Sequence, residues 1–216
     1  MSYGQNLAWG LQATKSLNAS TWNGQVNPYF IDATPGATVQ SIFRGDPVII
    51  NTNGYVVSLY EAGSPAFQTT AVLGVFDGCS YITPTSANPI DPASPGRPYW
   101  PSGTLTLNNT PVTAFVIDDP STIFNVQTNS TPGLTQTNMG NTAPVAFNLV
   151  ATTVQGNTNT GISLVTLDQT AAATGATLNL KIIRLVARVG NTSGLGYNNA
   201  EVLIQNHFYC SRPAGV

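Results

Sequence analysis

The chain has 216 residues, of which only 7% are Asp, Glu, Lys or Arg, whereas a soluble globular domain typically carries about 25% of these residues. Hydrophobic residues make up 42% of the chain, so uncharged polar residues, Gly and Pro replace the missing charges. A disordered chain pairs low hydrophobicity with high net charge, but this chain has a net charge of -2 and eight Tyr, eight Phe and three Trp to bury. The composition therefore excludes disorder over the full length.

The same composition restricts the partners and the compartment. Seven Lys and Arg residues are scattered along the chain and do not form the basic stripe that binds phosphates, so we expect no nucleic-acid partner. No apolar run reaches the roughly 18 to 20 residues that cross a bilayer, and residues 1–10 lack the basic and apolar regions of a secretory signal. Cys79 and Cys210 fit neither a disulfide framework nor a metal-binding spacing. We therefore expect a reduced protein that is made inside the cell and does not associate with a membrane.

Taken in chain order, short apolar runs with a period of two alternate with clusters of Gly, Pro, Asn, Asp and Thr, which is typical of half-buried strands joined by turns. The predicted strands are 25–31, 47–51, 55–60, 71–76, 80–83, 112–117, 122–127, 145–154, 162–167, 178–189 and 200–208. We predict an all-β fold, an antiparallel sandwich or a jelly-roll-like barrel with long projecting loops, that forms a single domain over residues 1–216.

Two dipeptides predict tight hairpin turns. Asn53-Gly54 separates strands 47–51 and 55–60, and Asp77-Gly78 follows strand 71–76. Both dipeptides accept the positive φ angles of a type I′ turn.

The longest predicted strand, 178–189, changes the phase of its alternation after Ile182. Either a β-bulge shifts the register at that point or both faces of the strand are covered. Its expected neighbour in the sheet is strand 200–208.

Two segments are predicted to be loops. Residues 84–101 contain six prolines, which force an extended backbone that cannot join the interior of a sheet, so we expect an excursion from the core. Residues 128–141 are rich in Thr, Asn and Gly and predict a long polar loop that is either flexible or held by a partner.

The sequence shows no recognisable catalytic or metal-binding motif. His207 is the only histidine and lies in a predicted strand, without the Gly-x-Ser-x-Gly elbow of a serine hydrolase, so a structural role is favoured. Asp118-Asp119-Pro120 is typical of a turn, because Asp side chains cap backbone N–H groups, but a cation-binding or catalytic role for the two carboxylates stays open. A glycosidase needs a pair of acids, for instance Asp118 with Glu201, but nothing in the sequence places these two residues together. We predict a protein that is not an enzyme and has no cofactor.

Aromatic residues beside Gly and Pro are the remaining candidates for a binding role. Trp22 precedes Asn23-Gly24, and Tyr99-Trp100 is flanked by prolines. Such residues can stack on sugars, but they more often anchor a loop or a subunit interface. We favour the interface, because an extended proline-rich arm loses little entropy when it docks and an aromatic tip anchors it.

Short motifs along nearly the whole chain carry a resemblance to a known family. In the first half they are Ala8-Trp9-Gly10-Leu11, Trp22-Asn23-Gly24-Gln25, Pro28-Tyr29-Phe30-Ile31, Gly45-Asp46-Pro47-Val48 and Gly74-Val75-Phe76 with Gly78-Cys79 and Tyr81. In the second half they are Tyr99-Trp100-Pro101 with Gly103-Thr104, Val116-Ile117-Asp118-Asp119-Pro120 with Ile123-Phe124 and Val126-Gln127, and 183–188 with Glu201-Val202-Leu203-Ile204 and Asn206-His207. In their order and spacing these motifs resemble a family of tailed-bacteriophage virion proteins. The proline-dense stretch before Tyr99 departs from the family pattern.

The resemblance implies a capsid decoration, or cement, protein that binds the outer surface of the major capsid protein shell and clamps neighbouring subunits. It also implies self-association, as a homotrimer at local three-fold positions, and a location on the capsid exterior of the virion. No catalytic residues carry over from the family. The candidate interface residues are Trp22, Tyr29, Tyr99 and Trp100. The alternative function is a virion-surface glycan-binding module that aids adhesion to the host.

Overall fold

The described part of the structure is built of β-strands. The computed structural model describes residues 7–33, 40–62, 66–84, 96–147, 149–150, 153–154, 156–174 and 177–211. Its first ten strands are β1 (Gln12–Ser16), β2 (Asn27–Ile31), β3 (Ile42–Phe43), β4 (Pro47–Ile50), β5 (Val56–Ser58), β6 (Gly74–Ser80), β7 (Tyr99–Trp100), β8 (Val112–Ile117), β9 (Thr122–Gln127) and β10 (Thr142–Ala143). The other ten are β11 (Val145–Ala146), β12 (Leu149–Val150), β13 (Thr153–Val154), β14 (Gly156–Asn157), β15 (Ile162–Ser163), β16 (Thr166–Leu167), β17 (Leu180–Leu185), β18 (Asn199–Ile204), β19 (Asn206–His207) and β20 (Cys210–Ser211).

Helical structure is confined to single turns. Short 3-10 helices occupy Leu59–Ala62, Ala66–Gln68, Leu107–Asn109 and Gln136–Asn138, and the ranges given above contain no α-helix. None of the helices in these ranges is long and apolar enough to span a membrane.

Ten strands form two antiparallel five-stranded sheets that pack as a sandwich. The first sheet has the order β1-β9-β18-β17-β10, and the second sheet has the order β2-β8-β6-β4-β5. The predicted all-β antiparallel sandwich is therefore confirmed. The predicted strands 112–117 and 122–127 coincide with β8 and β9.

The second sheet is buried on both of its faces. An inner core lies between the two sheets and includes Ile49, Val57, Val75, Phe124, Val126, Ile182 and Val202. An outer core covers the opposite face of the second sheet and includes Ile31, Val48, Val56, Phe76, Val116, Ile42 and Trp100. Neighbouring residues of a strand point to opposite faces, so Val48 and Ile49 enter different cores. For this reason β4 is an unbroken apolar run instead of an alternating one.

The hairpin at Asn53-Gly54 is confirmed, but its turn is not of type I′, because Asn53 does not have a positive φ. The turn predicted at Asp77-Gly78 is not formed. Gly54 has a φ of 83° in the loop between β4 and β5, which pair with each other. Asp77 and Gly78 lie inside β6, where the register against β8 shifts between Phe76 and Gly78. A β-bulge needs the same permissive backbone as a turn, and Gly78 has a φ of 153°. The dipeptide therefore bends a strand that continues to Ser80.

The register change predicted for 178–189 is a β-bulge. The pairing of β17 with β18 shifts between Ile182 and Arg184. The bulge lets Ile182 pack in the inner core while Arg184 reaches the solvent-facing side of the same strand.

The edge strand β1 is absent from the predicted set. Its sequence, Gln-Ala-Thr-Lys-Ser, has no apolar alternation, and only Ala13 packs against the inner core. The strand forms because β9 offers it a backbone ladder, with a register shift between Ala13 and Lys15. A polar edge strand of this kind is held by its neighbour and not by its own propensity.

The prediction that residues 84–101 leave the core is wrong at the C-terminal end of the segment. Residues 85–95 lie outside the described residues. Tyr99 and Trp100 form β7 and pair with Phe43 and Ile42, and the backbone of Arg97 exchanges two hydrogen bonds with Cys79. Pro98 and Pro101 flank the two-residue strand, so the amide groups that proline lacks are not needed there.

The polar loop 128–141 is packed against other residues of its own chain. Leu134 is fully buried in the inner core, and the side-chain amide of Asn198 both donates to its carbonyl oxygen (3.0 Å) and accepts from its N–H (3.1 Å). A Cβ atom at Gly133 would lie 1.8 Å from the carbonyl oxygen of Leu195. The loop is therefore packed too closely against residues 195–198 to be free.

Asp46 is a carboxyl group that is fully buried between β3 and β4. The N–H of Phe43 donates to its Oδ2 at 2.7 Å. Burial raises the pKa of Asp46 to about 7, against the hydrogen bonds from Ser163 and Phe43, which favour the ionised form. The group therefore changes its charge near neutral pH inside the fold.

We expect Asp46 to make the stability of the protein depend on pH. Because its folded pKa lies above the unfolded value, the folded state is favoured most below pH about 4, and this advantage is lost as the pH rises to about 7. Asp46→Asn, which mimics the neutral acid, should raise the free energy of unfolding relative to wild type by up to about 4 kcal/mol at pH 8 and by little at pH 4. Thermal unfolding at constant ionic strength measures the difference.

The matched control is Asp168→Asn, because this carboxylate is partly exposed and caps a turn at Thr170. The control makes the same chemical change at a site that is not fully buried. Parallel stability profiles of the wild type and the Asp46→Asn variant between pH 4 and 8 would contradict the assignment.

Candidate functional site

Most charged side chains that the structure describes have a contact within the chain. Glu201 accepts hydrogen bonds from Lys15 Nζ (2.9 Å) and Arg184 Nε (2.8 Å), and Arg44 Nε pairs with Asp77 Oδ1 at 2.8 Å. The guanidinium of Arg188 lies 5.9 Å from the ring centroid of Trp9. Five of the charged side chains that the structure describes are therefore joined in ion pairs.

Glu201 is an ionised group in a charge cluster. Burial by itself raises its pKa, but the hydrogen bonds from Arg184 and Lys15 outweigh burial, so the pKa lies below its ordinary value. A general acid needs a raised pKa, and Glu201 has the opposite. Glu201 belongs to the first sheet and Asp118 follows β8 of the second sheet, and they share no hydrogen-bond partner.

The two carboxylates of Asp118-Asp119 have separate partners. Asp119 Oδ1 accepts from the N–H of Ser121 at 2.8 Å, and the N–H of Thr122 donates to its carbonyl oxygen. Asp118 accepts from the side chain of Asn27 at 2.8 Å and from the hydroxyl of Tyr29. The turn predicted for Asp119 is therefore confirmed, and Asp118 instead joins the edge strand β2 to the end of β8.

His207 is buried, and its Nδ1 accepts a hydrogen bond from the N–H of Tyr209 at 3.1 Å. This contact orients the short hairpin β19–β20, which ends the described chain. The hairpin brings Phe208 and Tyr209 to the surface, with exposed fractions of 52% and 56%. The favoured structural role of His207 agrees with these contacts.

Cys79 and Cys210 are free thiols. Burial raises the pKa of Cys79 to about 12, although the nearby charge of Arg97 acts in the opposite sense. A thiol with such a pKa is a poor nucleophile at neutral pH. Within the described ranges, no three His, Cys, Asp or Glu side chains are grouped so that they could hold a metal ion.

Trp100 is a core residue and not a surface anchor. Only 1% of it is exposed, and its ring packs edge-on against Tyr81, with 4.9 Å between the ring centroids. Tyr99 is partly buried and stacks on Phe43 at 5.2 Å. The expectation that Trp100 contacts a partner is therefore wrong, because pairing of β7 with β3 turns its indole into the outer core.

Tyr29 belongs to a surface cluster of aromatic residues. Its hydroxyl lies 2.9 Å from the hydroxyl of Tyr209, whose ring packs edge-on against Phe208. Burial, followed by the hydrogen bond to Asp118, raises the pKa of Tyr29, so its hydroxyl stays protonated and donates. We call Tyr29, Phe208 and Tyr209 the aromatic patch.

The aromatic patch lies beside an edge strand. Among the strands that the structure describes, β2 pairs only with β8, and its Phe30 is also exposed. Pro28 in this strand has no N–H to offer to another strand, which blunts the edge against direct strand pairing. The exposed Phe30 and the aromatic patch therefore present apolar side chains at this edge.

Trp22 lines a cleft between β1 and the second sheet. The cleft has a volume of about 360 Å³, and its walls include Trp9, Gln12, Trp22, Arg44, Asp77 and Thr160. Trp22 also packs against the inner core. The four candidate interface residues therefore lie in four different places. Trp100 is in the outer core and Tyr99 stacks on Phe43, whereas Tyr29 belongs to the aromatic patch and Trp22 lines the cleft.

No family model, no curated protein and no solved structure matches this chain. The resemblance to phage virion proteins therefore remains a prediction from the short motifs. The fold is that of an all-β sandwich protein.

Sequence reasoning missed several residues of these sites. Phe208 ends the predicted strand 200–208, and Tyr209 follows it. Both residues face solvent because they form the turn of the hairpin β19–β20. Arg44 and Asp77 are 33 residues apart, so their pairing has no local signal. The local signal for an exposed aromatic residue was the pair Phe208-Tyr209, because two adjacent aromatic rings cannot both point to the same face of a strand.

We expect the two classes of aromatic residue to differ sharply in their effect on stability. Trp100→Ala should lower the free energy of unfolding by about 3–5 kcal/mol, because it empties a large buried site. Tyr209→Ala should lower it by less than about 1 kcal/mol, because the side chain is mostly exposed. Urea unfolding followed by circular dichroism measures both values, and equal losses would contradict the placement of Trp100 in the core.

Proposed function

We propose that this protein decorates the capsid of a tailed bacteriophage, where it binds the outer surface of the major capsid protein shell and stabilises it. The observation that carries the proposal is the aromatic patch, in which Phe208 and Tyr209 are exposed beside the partly buried Tyr29 on a body with few charged residues. The short family motifs described above point in the same direction.

A neutral surface suits a protein that is packed in many copies. Burying an unpaired charge in an interface costs several kcal/mol, whereas uncharged Thr and Asn side chains can be satisfied by hydrogen bonds. Only 7% of the chain is charged, and groups such as Glu201 and Asp77 already have partners. Repeated contacts therefore carry a low desolvation cost.

The aromatic patch supplies the anchors for such a contact. Tyr and Trp dominate the energetics of interfaces, and single anchors often contribute about 2 kcal/mol. The hydrogen bond between Tyr29 and Tyr209 limits the motion of both rings before binding, so less entropy is lost when a partner docks. We infer that this patch contacts the shell.

The oligomer that we propose is a trimer at local three-fold positions of the shell. This part of the proposal follows from the way decoration proteins commonly clamp neighbouring capsid subunits. A clamp needs several copies acting together, and weak contacts then add through effective concentration.

We expect purified virions from the phage that encodes this chain to contain it in stoichiometric amounts, as measured by quantitative mass spectrometry. Particles stripped of the protein should rebind it with an affinity that changes less than about threefold between about 50 and about 500 mM NaCl, because neutral contacts are little screened. The double variant Phe208→Ala with Tyr209→Ala should bind at least about tenfold more weakly.

The matched control is Leu105→Ala, because Leu105 is an apolar side chain that is about as exposed as Phe208 and Tyr209. Leu105 precedes β8, whereas Asp118 and the aromatic patch lie at the end of β8. The control should rebind like wild type. Absence of the chain from the particles would overturn the proposal, and full rebinding by the folded double variant would remove the aromatic patch from it.

A further inference from the structure

The cleft at Trp22 combines two aromatic side chains with polar groups. Trp9 and Trp22 line it, each partly exposed, and its volume of about 360 Å³ falls within the range of small-molecule sites. Aromatic rings bind apolar ring faces of a ligand, and they do so best when polar groups nearby fix the orientation of that ligand.

The polar groups of the cleft carry no net charge. The guanidinium of Arg44 and the carboxylate of Asp77 are joined by the hydrogen bond of 2.8 Å, and Gln12 and Thr160 add an amide and a hydroxyl. Together they offer both donors and acceptors in fixed positions. A ligand with many hydroxyl groups matches this set better than an anion, because the charge of Arg44 is already balanced.

Trp22 also lines a second cleft. This cleft has a volume of about 250 Å³ and is lined mainly by hydroxyl and amide side chains, together with the carboxylate of Asp119; they include Ser16, Asn18, Thr21, Asn23, Gln25 and Ser121. The two polar clefts therefore share one indole side chain.

We infer that the two clefts at Trp22 bind a neutral saccharide of at least two sugar residues. One residue packs against Trp9 and Trp22 and forms hydrogen bonds with Arg44, Asp77 and Gln12. The next residue occupies the hydroxyl- and amide-lined cleft. A pyranose ring has an apolar face of C–H groups and a rim of hydroxyls, which is the combination that this lining complements.

This inference does not rest on the proposed capsid function. The aromatic patch is built on β2 and the hairpin β19–β20, whereas the clefts are lined mainly by β1, the segment at Trp22, the loop after β3, β6 and residue Thr160. Saccharide binding would give the protein a second role, adhesion to a glycan-coated surface.

The test is a titration followed by nitrogen–proton correlation NMR, because the chain has three Trp residues and each gives one indole signal. The probes are cellobiose, maltose, lactose and the N-acetylglucosamine disaccharide, each up to about 20 mM, with sialic acid as the anionic comparison. We expect at least one neutral disaccharide to shift the signals of Trp9 and Trp22. The signal of Trp100 should stay in place, because its ring lies in the outer core.

Trp22→Ala should weaken the binding of that disaccharide at least about tenfold. Trp22 also packs against the inner core, so Gln12→Ala serves as a second variant that changes only an exposed side chain on the edge strand β1. It should weaken binding about fivefold through the loss of one hydrogen bond. The control Tyr209→Ala should bind the sugar like wild type.

The inference is overturned if none of the four neutral disaccharides shifts the signals of Trp9 and Trp22, or if the affinity is unchanged in folded Trp22→Ala and in Gln12→Ala. Tighter binding of sialic acid than of every neutral probe would also overturn it. Rebinding to virus particles is measured separately with the patch variants, so failure of the capsid proposal and failure of saccharide binding are distinguishable.

Discussion

The rest of the structure depends on the burial of the second sheet on both faces. One face needs the first sheet, and the other needs the layer that β3 and β7 form with Tyr81 and Trp100. Because β7 comes from the end of the proline-rich segment, that segment must return to the core at residues 96–100. Parallel sheets commonly have two covered faces, but in this antiparallel sheet the second cover comes from short strands. As a result, Trp100, which the sequence suggests as a binding residue, packs in the outer core.

A chain with so few charges holds its loops by neutral amide side chains. Asn198 brackets the backbone of Leu134, Asn179 donates to the carbonyl oxygen of Phe67 at 2.8 Å, and Asn191 donates to the carbonyl oxygens of Val186 and Asn199. These contacts give backbone groups of the loops amide hydrogen-bond partners without the cost of burying an ion. The same chemistry leaves the outer surface polar and uncharged, which suits both proposed roles. The aromatic patch and the clefts then stand out as the places where apolar rings reach that surface.

The charged groups that remain have local structural tasks. Glu201 joins the edge strand β1 to β17 through Lys15 and Arg184, and Asp118 joins β2 to the end of β8. Arg44 and Asp77 close one side of the Trp22 cleft. Asp46 is the exception, because it is buried with a raised pKa, and it makes the junction between β3 and β4 sensitive to pH. The ion pairs and hydrogen bonds of Glu201 and Asp118 therefore connect edge strands to their sheets outside the two hydrophobic cores.

Local residue patterns were enough to predict the all-β antiparallel fold, the positions of β8 and β9, the change of register within 178–189 and the turn at Asp119. Alternation, turn residues and a phase change act over a few neighbouring positions, so each of these features can be read from a short segment. Other features emerged only when the strands were assembled: Trp100 is buried, β1 is a strand, Asp77-Gly78 bends a strand instead of ending it, and Trp9, Trp22, Arg44 and Asp77 meet in one cleft. These outcomes depend on which strands become neighbours in the sheets. Contacts between residues far apart in the chain cannot be read from the local sequence around either residue.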